Sequence, residues 1–350
     1  MKLLKSIPLF FSITFISLLI CGTLSLFMFQ NSSLSLAAIW DVISLILICT
    51  GFLVYNIAFY TKENNSIKIL NYKLNWLSEI FILMAILGTL IGFYLMISGM
   101  EIPPEAGVDP TAMLGGMVAV SLITIIYGFI YAFSTNIYKK SLVDYITNTS
   151  ENNHNINTKE NFRIGATISL ILFIIIWVYA VVLISRNAGL NNSIIITHNL
   201  YYLLLLLLLL PAIYKGKSFL NLFTSWFWYF KEEDEIIRYN IKYLTSVKKT
   251  VSIFYCLSFL ITPMLIYGGI YFGDNSPFYP LQNAVYLFFF GGVYILILTI
   301  MQGQQVNKLF INTGEIIETD KFFALKFYLI PIFIIYLYFS FCVVLGFVVI

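Results

Sequence analysis

Hydrophobic positions along this chain fall in long unbroken blocks rather than in alternating or one-faced patterns, with short polar stretches between them. Nine blocks reach the length of about 20 mostly apolar residues that carries a helix across a bilayer. They lie at roughly 8–29, 36–60, 77–100, 112–138, 164–185, 195–214, 250–272, 281–303 and 326–349. In lipid every backbone N–H and C=O must be satisfied within the chain, which helices do segment by segment. The pattern therefore predicts an all-α integral membrane protein with about nine transmembrane helices.

Composition supports that class. Of 350 residues, 60% are hydrophobic and only 11% are charged, against about 25% charged in a soluble domain. The N-terminal "MKLLKSIPLFFSITFISLLICG" has the basic start of a signal peptide, but its apolar run continues to about Phe29 with no small-residue cleavage site. It is read as a retained first span. Cys21, Cys49, Cys256 and Cys342 all sit in apolar segments, which suggests neither a disulfide framework nor a zinc site.

Charge sets the expected orientation. With the N-terminus in the cytoplasm, every lysine and arginine except Arg186 falls in an inner loop, as the positive-inside rule requires. The C-terminus then lies outside. The Asn- and Thr-rich stretch 141–163 reads as a cytoplasmic linker. It separates a four-span module, 1–140, from a five-span module, 164–350, whose similar plan is compatible with a divergent repeat. Inner loop 215–249 carries aromatics and then the acidic run Glu232 to Glu235, a solvated charge run beside an interfacial belt.

Catalytic chemistry has little to stand on. His154 and His198 lie far from other ligands, and the chain has no HExxH, no paired carboxylates at helical spacing within a span, and no phosphate-cradling GxxxxGK. No enzyme activity, cofactor, metal or nucleic acid is expected. Asp41 and Glu79 are the acids within spans, each about a turn from a span end, where carboxylates reach the interface.

The small residues are organised. In span three Ser78, Ala85, Gly88, Thr89, Gly92 and Gly99 fall along one stripe, and Gly88 and Gly92 form a GxxxG. Span four repeats the idea with Gly115, Gly116, Ser121, Thr124, Gly128, Ala132 and Thr135. The outer loop between them carries Glu101, Glu105 and Asp109 and no lysine or arginine, which would concentrate cations at an external mouth. Two readings fit the stripes: close helix packing alone, or a hydroxyl-lined ion path.

"LGTLIGFYLM" and, beyond the outer loop, "GGMVAVSLITIIYGFIYAFSTNIY" together resemble the paired core helices of the MotA/TolQ/ExbB proton-channel family. Gly88, Thr89 and Gly92 match a G-T-x-x-G element, and Val120 to Ala132 match more loosely a run of the A-L-x-x-T-x-Y-G-x-x-x-A type. The resemblance covers about residues 78–140. It departs from the family in two ways. Only "TKENNSIKILNYKLN" joins spans two and three, where members carry a cytoplasmic domain. Aligning Gly128 also puts Ile125, not Thr124, at the usual threonine position.

The resemblance implies a ring of subunits, typically a pentamer, around a single-span membrane partner whose Asp carries the proton or sodium ion. Thr89, Thr124 and Ser121 would line the route, with Gly88, Gly92 and Gly128 packing beside it. The implied role is a stator-like ion-channel subunit coupling ion-motive force to mechanical work, in a bacterial inner (plasma) membrane. Two alternatives stay open. One is a single-chain secondary transporter, with Pro263 and Pro331 breaking helices. The other is a non-conducting membrane scaffold. The sequence leaves open the ion, the process driven and the role of spans five to nine.

Overall fold

The structure is a computed structural model that describes residues 42–59, 67–100, 123–140, 164–187, 232–272 and 278–317. Six helices and no strands occur among the described residues. In chain order they are α1, Val42–Phe59; α2, Ile67–Met100; α3, 123–140; α4, Ile164–Asn187; α5, Asp234–Phe272; and α6, Phe278–Thr313. They fall on six of the nine expected spans. Spans one, six and nine and the linker 141–163 lie outside the described residues. Helix α2 contains a segment, Ile69–Phe93, long and apolar enough to cross a membrane, and most of it is enclosed by neighbouring helices.

Two helices begin or end well outside their apolar blocks. Helix α5 starts at Asp234, inside the expected inner loop, because 234–251 carries an amphipathic stripe. Ile237, Ile241, Leu244, Val247 and Val251 recur at three- and four-residue spacing and are buried. Asp234 and Glu235 in its first turn suit the positive end of the helix dipole. Helix α5 also continues without interruption past Pro263. Helix α6 runs beyond its apolar block to Thr313, and Gly314 ends it. The Gly314 backbone adopts φ 71° and donates its N–H to the Phe310 carbonyl at 2.8 Å, a left-handed cap that glycine adopts without a Cβ penalty.

Helices α5 and α6 form an antiparallel pair. Its register is visible in Lys248 and Thr245 meeting Gln302, Asp234 meeting Asn312, and Arg238 meeting Glu315. Helix α6 also packs on α2 and α1, while α4 covers α1 and part of α2. With α3 antiparallel on its remaining side, α2 is the hub of the bundle. The two expected modules are therefore packed together. At the junction, Gly303 lets α6 approach so closely that an added Cβ would lie 3.1 Å from Trp76 Nε1 and 3.2 Å from Phe59 Cζ. Phe59 and Trp76 meet edge to face there, with centroids 4.8 Å apart. Gln304 donates to the Ile57 carbonyl at 3.1 Å, satisfying one of the last-turn carbonyls that α1 itself leaves unpaired.

Candidate functional site

The seam between α2 and α3 holds the residues of interest. Its helices come together because glycines face it. A Cβ on Gly88 would lie 2.5 Å from Thr124 Cγ2, and one on Gly128 would lie 2.2 Å from Ala85 Cβ and 3.0 Å from the Phe81 carbonyl oxygen. The two segments that carry the family resemblance thus interlock, glycine against side chain in both directions. Gly92 is only partly buried, one turn beyond Gly88.

Thr89 and Thr124 are both buried, but only Thr124 is placed in this seam, against Gly88; Thr89 follows Gly88 by one residue, about 100° around α2. The Thr89 hydroxyl donates to the Ala85 carbonyl at 2.8 Å, the back-bond by which a hydroxyl is satisfied inside an apolar helix contact. Thr124 Oγ1 lies 3.1 Å from Ser44 Oγ of α1, so three helices meet at that level. Thr124, rather than Ile125, faces Gly88. Ile125 is rotated about 100° from it and packs at the edge of the core, and Ile126 is exposed.

Polar groups recur below that level. Thr50 of α1 accepts from Trp177 Nε1 of α4 at 3.3 Å. Thr135 donates to the Tyr131 carbonyl at 2.7 Å. Ser78 donates to the Ala132 carbonyl at 3.3 Å and accepts from Asn136 Nδ2 at 3.2 Å. Lys139 then reaches Asn75 Oδ1 at 2.7 Å. Between the Ser44–Thr124 level and the Ser78 level, Phe81, Ala85, Gly128 and Tyr131 fill the seam, with the Phe81 and Tyr131 rings 5.2 Å apart. Between these two levels α1 adds further polar contacts: the Thr50 hydroxyl meets Met84 Sδ at 3.5 Å, and Cys49 Sγ donates to the Tyr131 hydroxyl at 3.9 Å.

Ser121, Glu101, Glu105 and Asp109 lie outside the described residues. Among the described ones, the sequence reading missed the polar junction contributed by α5 and α6. Lys248 donates to Gln302 Oε1 at 2.9 Å, Gln302 Nε2 donates to Thr245 Oγ1 at 2.7 Å, and Glu79 of α2 interacts with Lys248 electrostatically. Nearby, Lys308 and Glu232 form a buried ion pair at 3.5 Å. The signal for this junction was the polar run 302–308, which is too rich in Gln, Asn and Lys for a span and yet is buried throughout. No protein-family model, curated protein or solved structure matches the chain.

Proposed function

We propose that the chain is an integral membrane protein with about nine spans and a cytoplasmic N-terminus, serving as a stator-like proton or sodium channel subunit in a bacterial inner membrane. The observation that carries this reading is the reciprocal fit of Gly88 on Thr124 and of Gly128 on Ala85. It joins the two segments of family resemblance through Gly88 and Gly128, with Thr124 rather than the aligned Ile125 against Gly88. Membrane embedding draws support from the apolar side chains left exposed on α3 and α4: Phe129, Phe133, Ile137, Ile171, Ile175 and Val178.

In this reading five copies surround a single-span partner, and the partner's Asp carries the ion. A carboxylate in lipid must neutralise or find hydrogen-bond donors. Thr124, paired with Ser44, and Thr89, bonded back to its own helix, offer hydroxyls that rotation about χ1 re-aims. The acidic outer loop with Glu101, Glu105 and Asp109 feeds cations to the mouth. Native mass spectrometry of the complex is expected to give five copies of this chain.

A second reading, a non-conducting scaffold, is favoured by one specific observation. Both threonine hydroxyls are enclosed and engaged within this chain. Proteoliposomes holding the complex purified through this chain separate the two. Channel function predicts that Thr89→Val and Thr124→Val, which keep shape and remove the hydroxyl, reduce ion flux by tenfold or more (about 1.4 kcal/mol in the barrier) with the assembly unchanged. Flux unaffected by both substitutions removes these threonines from any path. A wild-type complex that conducts nothing favours the scaffold.

A further inference from the structure

Helix α4 turns few side chains inward. Over 167–179, where its side chains are described, only Ser169 and Trp177 are buried, while Ile168, Ile171, Ile175 and Val178 are exposed. Tryptophan favours the membrane–water interface, yet Trp177 lies near the middle of α4. Its ring meets Phe173 of its own helix, with centroids 5.7 Å apart, and stacks on Phe289 of α6 at 5.9 Å. Its N–H is donated to Thr50 Oγ1 of α1 at 3.3 Å. An indole N–H enclosed among apolar side chains costs free energy unless it finds an acceptor. The Thr50 hydroxyl therefore fixes where Trp177 sits.

Thr50 carries the constraint along α1. While accepting from Trp177, its hydroxyl donates to the Leu47 carbonyl one turn back. The Leu47 side chain reaches the α2–α3 seam, with Cδ1 3.8 Å from the Cβ that Gly88 lacks. A further turn back, Ser44 Oγ meets Thr124 Oγ1 at 3.1 Å. Successive residues at this spacing adjoin one another on a helix surface. The same strip of α1 thus touches Trp177 at one end and Thr124 at the other.

We propose that Trp177 is a positioning residue, through which α4 and α6 hold the Ser44–Thr50 stretch of α1 against Gly88 and Thr124. The hydroxyl pair beside the α2–α3 seam is then set from the second module. Helix α1 has its own hold on α2 beyond Thr50. Phe52 meets Phe81 edge to face at 5.2 Å, and a Cβ on Gly51 would lie 3.0 Å from the same ring. Leu47 and Ser44 lie on the other side of Thr50 from those contacts, where the Trp177 bond decides the angle of approach. The coupling is a matter of this chain's own packing and stands whether or not ions cross the seam.

Disulfide trapping in the full chain, held in nanodiscs with the four native cysteines replaced by alanine, reads the coupling. Ser44→Cys with Thr124→Cys puts two thiols where the hydroxyls touch, and their oxidation rate reports how closely α1 sits on α3. Trp177→Phe keeps a ring for Phe289 and removes the N–H, while Thr50→Val keeps the shape and removes the hydroxyl. Each is expected to slow trapping about fivefold, the factor that one lost hydrogen bond carries. Adding Trp177→Phe to Thr50→Val slows it no further, because the bond is already gone. A control pair, Ser78→Cys with Asn136→Cys, bridges α2 and α3 without α1 and is expected to keep its rate. Trapping at the first pair that neither substitution slows overturns the proposal. Equal slowing at both pairs also overturns it, since that is what general loosening gives. If Trp177→Phe does not fold, Thr50→Ser decides: it keeps the hydroxyl and is expected to retain the rate that Thr50→Val loses, and equal slowing by both overturns the proposal.

Discussion

Gly128 has no room for a methyl group. Ala85 Cβ is the atom it would strike, and an alanine Cβ cannot rotate away. Gly128→Ala is expected to cost about 1–3 kcal/mol, the range for overpacking a close contact, read as a lowered unfolding midpoint in detergent. The double variant Gly128→Ala/Ala85→Gly returns most of that loss, since the clashing methyl is removed from the opposite helix. Gly88→Ala meets a more forgiving neighbour. Thr124 Cγ2 can swing aside, but at the expense of the Thr124–Ser44 contact. Gly314 is different in kind. Nothing lies within 4 Å of its would-be Cβ, so Gly314→Ala tests backbone alone, and about 1–2 kcal/mol is expected from the left-handed conformation.

At the scale of elements, the close approach of α2 and α3 at Gly88 and Gly128 was legible from the spacing of small residues, because residues three and four apart share a helix face. Which of Thr124 and Ile125 points at Gly88 was not legible. An alignment through Gly128 favours position 125, whereas packing against α1 through Ser44 selects 124. The extent of α5 was also hidden. Hydropathy finds the apolar block 250–272, while the stripe from Ile237 to Val251 becomes meaningful only with α6 lying against it. Likewise, nothing in the local sequence announces that Gln304 completes the end of α1, far away in the chain. Gln304→Leu leaves the Ile57 carbonyl without that donor, and about 1–3 kcal/mol of stability is expected to be lost. Faster hydrogen exchange confined first to the last turn of α1 would locate the loss there.

For the molecule as a whole, the exposed faces of α3 and α4 say what solvent the bundle suits. Phe133 is 67% exposed and Ile175 57%, amid further isoleucines on the same helices. In the proposed membrane setting these side chains meet lipid rather than water. Ile175→Arg is expected to cost about 2.5–3.5 kcal/mol of insertion free energy if α4 faces lipid at mid-membrane. Membrane flotation of the variant would show a reduced integrated fraction. Unchanged integration would mean that this face meets something other than hydrocarbon. The packing of α6 against α2 and α1 bears on the second module too. Helices α4 and α6, which belong to that module and pack on the hub of the candidate channel, have a lever on it. The most direct measurement is flux of protons and of sodium, each followed with its own dye, in liposomes holding this chain, with and without the proposed single-span partner. The account predicts flux only when both are present, and no flux in either sample would contradict it.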